Sequence, residues 1–172
     1  MLSLGLLVLR VVVGLTVAAH GAQKLFGWFE GPRISGFSGM LGSLGVKPRA
    51  FWAVVAGLSE FVGGLLVALG FLMPVGALIV CGSMISAILL VHAGKGFWAS
   101  RGGYEFPLTI MGAMVALSLT GPGVLSLDQA LKIALPEPAT WVVIAVLVLL
   151  GAFAAVASSR LRSASETKTQ AG

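Results

Sequence analysis

The residues with useful chemistry sit inside or at the edges of apolar sequence. Arg10, His20, Gln23 and Lys24 interrupt one apolar run, residues 2–26, and Glu60 interrupts the next, residues 50–73. A charge in such surroundings normally faces the interior of a helix bundle and pairs there. At 1.5 Å per residue, Arg10 lies about 12 Å into its run from one end, and Glu60 about 15 Å into its run from the other. Both depths fall near the middle of a hydrocarbon layer about 30 Å thick. The expectation is an intramembrane Arg10–Glu60 ion pair. It would either fix the packing of two helices or belong to a proton or substrate path. Arg10, Val13, Val17, His20 and Lys24 recur at steps of three and four, which is one side of a helix. Gly57, Glu60 and Gly64 share a face that lets a neighbouring helix come close.

A second group gathers at run ends of similar depth: His20, Gln23 and Lys24, then His92, then Tyr104 and Glu105, with Trp28 and Trp98 nearby. Imidazole can donate, accept or ligate and titrates near neutrality. The group therefore reads as a substrate-binding or proton-relay cluster, although a lysine at a helix end usually just snorkels. His20 and His92 on different helices would suit haem b ligation, but two histidines are a minimal signal. No zinc spacing, phosphate loop, dinucleotide fingerprint or serine elbow is present, so no metal site and no catalytic residue is assigned. Cys81 is the single cysteine, so dithiol chemistry would need a partner protein.

The elements that must position these residues follow from composition. Hydrophobic residues make up 58% of the 172 and charged residues 10%, against about 45–50% and about 25% in soluble domains. Mean hydropathy is +1.03. So few charges cannot cover a soluble surface, and disorder is excluded by the same numbers. The chain reads as an all-α polytopic membrane protein. Its runs are 2–26, 50–73, 74–93 and 106–120, with a fifth at 141–157 inside the segment 136–159 and a polar tail at 160–172. The first run reads as a span rather than a cleaved signal, because no Lys or Arg precedes it and Arg10 lies within it.

The +5 net charge sets topology rather than binding nucleic acid. With five spans, nine basic residues fall on one side: Lys24, Arg33, Lys47, Arg49, Lys95, Arg101, Arg160, Arg162 and Lys168. Only Lys132 falls on the other. The positive-inside rule then puts the N-terminus outside and the C-terminus in the cytoplasm. Trp28, Trp52, Trp98 and Trp141 fall near span ends, where an aromatic belt belongs.

Two connections have a pattern of their own. In residues 34–45, Ile34, Phe37, Leu41 and Leu44 have helical spacing, and Gly36, Gly39, Gly42 and Gly45 recur every third residue. This reads either as an interfacial helix with a glycine ridge against the bundle or as a flexible Gly/Ser loop. Ser126-Leu127-Asp128-Gln129 reads as a capping box opening a short helix that Pro136 ends.

Several of these segments resemble the DoxX family of small bacterial membrane proteins. They are His20-Gly21-Ala22-Gln23-Lys24-Leu25-Phe26-Gly27-Trp28-Phe29, Glu60-Phe61-Val62-Gly63-Gly64-Leu65-Leu66 and Leu69-Gly70-Phe71-Leu72-Met73-Pro74. Val91-His92, Gly96-Phe97-Trp98, Gly102-Gly103-Tyr104-Glu105-Phe106-Pro107, Gly121-Pro122-Gly123 and Ser126-Leu127-Asp128 continue the series in order, over roughly residues 4–131. The resemblance implies a four-helix membrane bundle over residues 1–135, to which this chain adds a fifth span. It implies placement in the bacterial inner membrane and a role as subunit or scaffold of a quinone-linked redox complex handling thiosulfate, thiols or oxidative stress. His20, Gln23, Lys24, Glu60, His92, Tyr104 and Glu105 all fall in the matching motifs.

Three functional readings stand side by side. The first is a scaffold or subunit that recruits soluble or membrane redox partners, with a homo-oligomer as a further option. The second is a quinone-binding oxidoreductase, with His and Tyr hydrogen-bonded to the quinone oxygens and Glu60 or Glu105 relaying protons. The third is a small-anion transporter or channel with Arg10 in its path.

Overall fold

The computed structural model describes the backbone of residues 1–170 and the side chains of residues 1–159. The basic tail residues Arg160, Arg162 and Lys168 lie outside the described side chains. Among the described residues seven α-helices follow one another: α1 (Leu2–Phe26), α2 (Arg33–Ser43), α3 (Arg49–Leu69), α4 (Met73–Ala87), α5 (Glu105–Thr120), α6 (Leu127–Ala130) and α7 (Ala139–Gln170). The chain beyond α4 continues as a π turn, Ile88–His92, and a 3-10 turn, Ala93–Lys95. The all-helical polytopic architecture is as expected. Leu2–Phe26, Arg49–Leu69, Met73–Lys95 and Ala139–Ser159 are long and apolar enough to cross a membrane, and α5 is a shorter apolar helix.

Glycine sets how closely the first two spans pack. A Cβ on Gly14 would lie 2.6 Å from the Gly64 carbonyl oxygen, and one on Gly64 would lie 2.6 Å from the Gly14 oxygen. A Cβ on Gly21 would lie 2.6 Å from the Phe61 Cα. No side chain fits between α1 and α3 at these levels, so the antiparallel pair meets backbone to backbone. The contacts Gly14–Ala68, Ala18–Gly64, Gly21–Phe61 and Leu25–Gly57 define a single register for that pair.

α4 packs on α3 and α5, closing an apolar core of Val17, Val67, Met73, Val80, Met84, Ile110, Met114 and Leu117. α7 lies outside this group against α4, with Val148 seated over Gly82 and Ala152 and Ala155 buried. Its far end reaches the α2–α3 link, where the Lys47 N–H meets the Ser158 hydroxyl at 3.3 Å.

The helix ends show where local signals were incomplete. α3 stops at Leu69, before the end of its apolar run, because Gly70 takes a left-handed cap at φ 62°. Segment 34–45 is largely helical, as α2, but its glycines are not the packing ridge. Gly39 faces open space, and Phe37 and Leu41 are buried against Val46 and Ala53. Ser126 caps α6 by accepting from the Gln129 N–H at 3.2 Å. That helix ends at Ala130 rather than at Pro136, because the Ile133 N–H turns back to the Asp128 carbonyl at 2.8 Å.

Candidate functional site

Two polar layers cross the α1–α3 pair at different levels. The first surrounds Glu60, which is 1% exposed. Both of its carboxylate oxygens accept from Lys24 Nζ. One of them also accepts from the Ser83 hydroxyl at 2.8 Å. The Lys24 ammonium lies 5.1 Å from the Phe37 ring centroid, and the side chain is 22% exposed. Four helices thus meet at one ion pair: Lys24 from α1, Phe37 from α2, Glu60 from α3 and Ser83 from α4. Gly57 makes the approach possible by leaving room for Leu25 and the Lys24 stem.

The expected Arg10–Glu60 pair is not formed; Glu60 takes Lys24 instead. The reason is register. Gly21 lies level with Phe61, and Gly14 with Gly64 and Ala68, so Arg10 reaches the far end of α3 at Gly70. That register puts Glu60 level with Ala22, so Arg10 and Glu60 are about twelve residues apart along the pair, or about 18 Å at 1.5 Å per residue. Lys24 does not snorkel outward, because a carboxylate lies within reach inside.

Arg10 belongs to the second layer. It is 2% exposed. Its guanidinium donates to the Pro122 carbonyl and packs against Gly70, which Ser126 also approaches. Beside it, the Asp128 carboxylate accepts from the Leu72 N–H at 2.8 Å and the Met73 N–H at 3.1 Å. Asp128 thereby caps the first turn of α4 from a distant segment. α5 has 16 residues, giving about 24 Å of helix, which falls short of a hydrocarbon layer about 30 Å thick. The chain after it is irregular, and irregular backbone at membrane depth persists only where protein groups satisfy it. Arg10 meets that chain at the Pro122 carbonyl, and the Asp128 N–H ties it to the end of α3 by donating to the Gly70 carbonyl at 3.0 Å.

The six residues expected to cluster separate into three places. His20 and Gln23 border a cleft of about 270 Å³ lined also by Thr16, Ala19 and Phe29. The His20 ring rests against Phe106 at 5.4 Å between centroids, and Gln23 Nε2 donates to the Phe29 carbonyl at 3.3 Å. Lys24 joins Glu60. His92, Tyr104 and Glu105 organise the α4–α5 link. His92 Nδ1 lies 2.7 Å from the Gly102 carbonyl, Tyr104 packs edge-on to Phe97, and Glu105 Oε2 accepts from the Ala99 N–H at 2.8 Å. A carbonyl only accepts, so His92 Nδ1 carries the proton.

His20 also leaves the face on which its spacing put it. Arg10, Gly14, Val17, Ala18, Gly21 and Ala22 are buried and His20 is exposed. Helical spacing groups residues on a side, but the buried arc of α1 is centred away from His20, toward the glycines that meet α3.

Ser83, Phe37 and Asp128 belong to these layers and were not expected there. Ser83 carries only the weak signal of a hydroxyl within an apolar run. Asp128 sits in the capping box, and its side chain caps α4 rather than its own helix.

These features define a polytopic helical membrane protein whose buried charged residues, Arg10, Glu60 and Asp128, are held in two separate layers between closely packed spans. The chain belongs to the DoxX family, whose model matches residues 5–93. That stretch holds α1 to α4 with His20, Gln23, Lys24, Glu60 and His92, and it ends before Tyr104 and Glu105. The chain is 31% identical over 134 residues to the uncharacterized membrane protein Rv3486 of Mycobacterium tuberculosis, covering 72% of this chain and 79% of that one. It is 29% identical over 130 residues to the inner membrane protein YqjF of Escherichia coli, covering 76% and 94%. It is 29% identical over 127 residues to YphA, an inner membrane protein of the same organism, covering 67% and 88%. No solved structure matches the chain.

Proposed function

We propose that this protein is an inner-membrane subunit of a redox assembly that offers a quinone head group a site beside His20. The N-terminus is placed outside and the C-terminus in the cytoplasm, on the asymmetry of nine basic residues to one. Inner-membrane placement is supported by the names of the two Escherichia coli relatives.

The observation that carries the reading is the cleft at the end of α1. An exposed imidazole on the outer side of a membrane span is costly unless something polar meets it. His20 stands there beside Gln23, with Thr16, Ala19 and Phe29 supplying the rest of the lining. An imidazole N–H and the second amide N–H of Gln23 are donors suited to a ketone oxygen, and the Phe29 ring and Ala19 methyl suit an apolar ring. The turn that forms the rim is strained. Phe29 and Glu30 both take left-handed conformations, at φ 51° and 61°, and such strain gathers at functional sites. A quinone bound there would supply two-electron, two-proton chemistry. His20 would hold an oxygen and exchange a proton with it. Electrons would come from a soluble or membrane-bound partner docked on the assembly.

The test is extraction of quinone from protein purified in mild detergent. Wild type is expected to carry quinone above the level in an unrelated membrane protein prepared alongside. His20→Ala should lower that content about tenfold while Tyr104→Phe leaves it unchanged. Quinone at the background level in wild type would overturn the reading.

A further inference from the structure

We propose that the end of the bundle carrying the α1–α2, α2–α3 and α4–α5 links is a seat for anionic phospholipid head groups. Three corners of this end repeat one arrangement. At the first, Arg33 stands with the exposed rings of Trp28 and Phe29. At the second, Lys47 and Arg49 stand with exposed Phe51. At the third, Lys95 and Arg101 stand with exposed Phe97 and Trp98.

These cations form no ion pair among the described residues. Among the described residues the one ion pair is Lys24–Glu60, and Glu105 is occupied by the Ala99 N–H. Arg33 and Arg49 also open α2 and α3, where the helix dipole disfavours a cation. Helix stability therefore does not explain them.

Their stems are nonetheless held in place. The Arg33 side chain lies against Gly27, that of Arg49 against Gly42 and that of Lys95 against Gly102. Each glycine gives a flat stretch of backbone on which an aliphatic stem can rest, which keeps the charged head at the rim. At the opposite end, Leu119, Val124, Leu125 and Leu131 are exposed with Lys132 as the exposed basic side chain among the described residues.

Cations facing a bilayer surface attract anionic lipid, and indole rings sit at head-group level. Each cationic segment also carries an exposed ring that can enter the lipid, Trp28 and Phe29, Phe51, or Phe97 and Trp98, which matches the head-group layer of a phospholipid surface.

The experiment uses the full chain in membranes of equal phosphatidylglycerol and phosphatidylethanolamine, with retained lipid measured by mass spectrometry after mild solubilisation. Wild type should retain phosphatidylglycerol in excess. Arg33→Gln and Arg49→Gln should each cut that excess about fivefold, and the paired Arg33→Lys, Arg49→Lys variant should keep it. Lys132→Gln should leave it unchanged. Raising salt on wild type provides a readout that needs no variant, since the excess should fall as the charges are screened. Equal retention of the two lipids by wild type would overturn the proposal. So would a wild-type excess in the doubly neutralised Arg33→Gln, Arg49→Gln protein. An acidic protein that copurifies while the lipid excess is absent would assign the surface to a protein instead.

Discussion

The two buried polar layers on the α1–α3 pair solve the same problem in different ways. In the Lys24–Glu60 layer, side chain meets side chain: ammonium, carboxylate, Ser83 hydroxyl and Phe37 ring. In the Arg10–Asp128 layer, side chain meets backbone, through the Pro122 carbonyl and the Leu72 and Met73 N–H groups. The first joins regular helices whose own backbone is already satisfied. The second joins irregular turns whose backbone needs partners. A side-chain pair can in principle be removed as a unit, whereas a side chain that satisfies backbone leaves an orphan whenever it is lost.

The largest effect of a single substitution should come from breaking the first layer on one side only. Lys24→Met leaves the Glu60 carboxylate buried with Ser83 as its remaining partner. We expect a loss of about 3–5 kcal/mol, read as a lowered melting temperature in detergent. Lys24→Met with Glu60→Met should recover most of it, since replacing a buried pair by apolar groups is often neutral. A double variant as unstable as the single one would show that the two layers behave alike.

The matching cycle in the second layer should show no recovery. Arg10→Met with Asp128→Leu abandons a carbonyl and two N–H groups, each about 1–3 kcal/mol when buried and unmet. Its melting temperature should lie below that of either single variant. Recovery here would erase the distinction between side-chain and backbone layers.

Ser83→Ala should cost less, about 1.5–3 kcal/mol for a hydrogen bond to a charged group. In a Glu60→Met background the same change should cost almost nothing, because the acceptor is gone. The smallest effect belongs to His20→Ala, which touches neither layer. Its stability should stay within about 0.5 kcal/mol of wild type, read as an almost unchanged melting temperature, even as the protein's quinone content falls.

The legible and the hidden parts of this molecule divide by distance along the chain. Span positions were readable because hydropathy is summed over neighbouring residues, and the Ser126 cap was readable because its partner is three residues away. The close approach at Gly57 and Gly64 was also readable, as small residues one helical turn apart or two. The partner of Glu60 was not. Depths counted separately from the two ends placed Arg10 and Glu60 together, but α1 runs past the end of α3, and the offset moves every pairing. The role of Asp128 was hidden for the same reason, since it caps a helix that begins 55 residues earlier.

By itself, then, the sequence determined an all-helical membrane protein of the DoxX family, the apolar runs and the short list of ionisable residues among them. Those properties are local, set by the transfer of each residue from water and by the turn of a single helix. Only the tertiary structure decided which charges meet. The glycine contacts at residues 14, 21 and 64 allow one register between α1 and α3, and that register gives Lys24 to Glu60 and leaves Arg10 to the loop beyond α5.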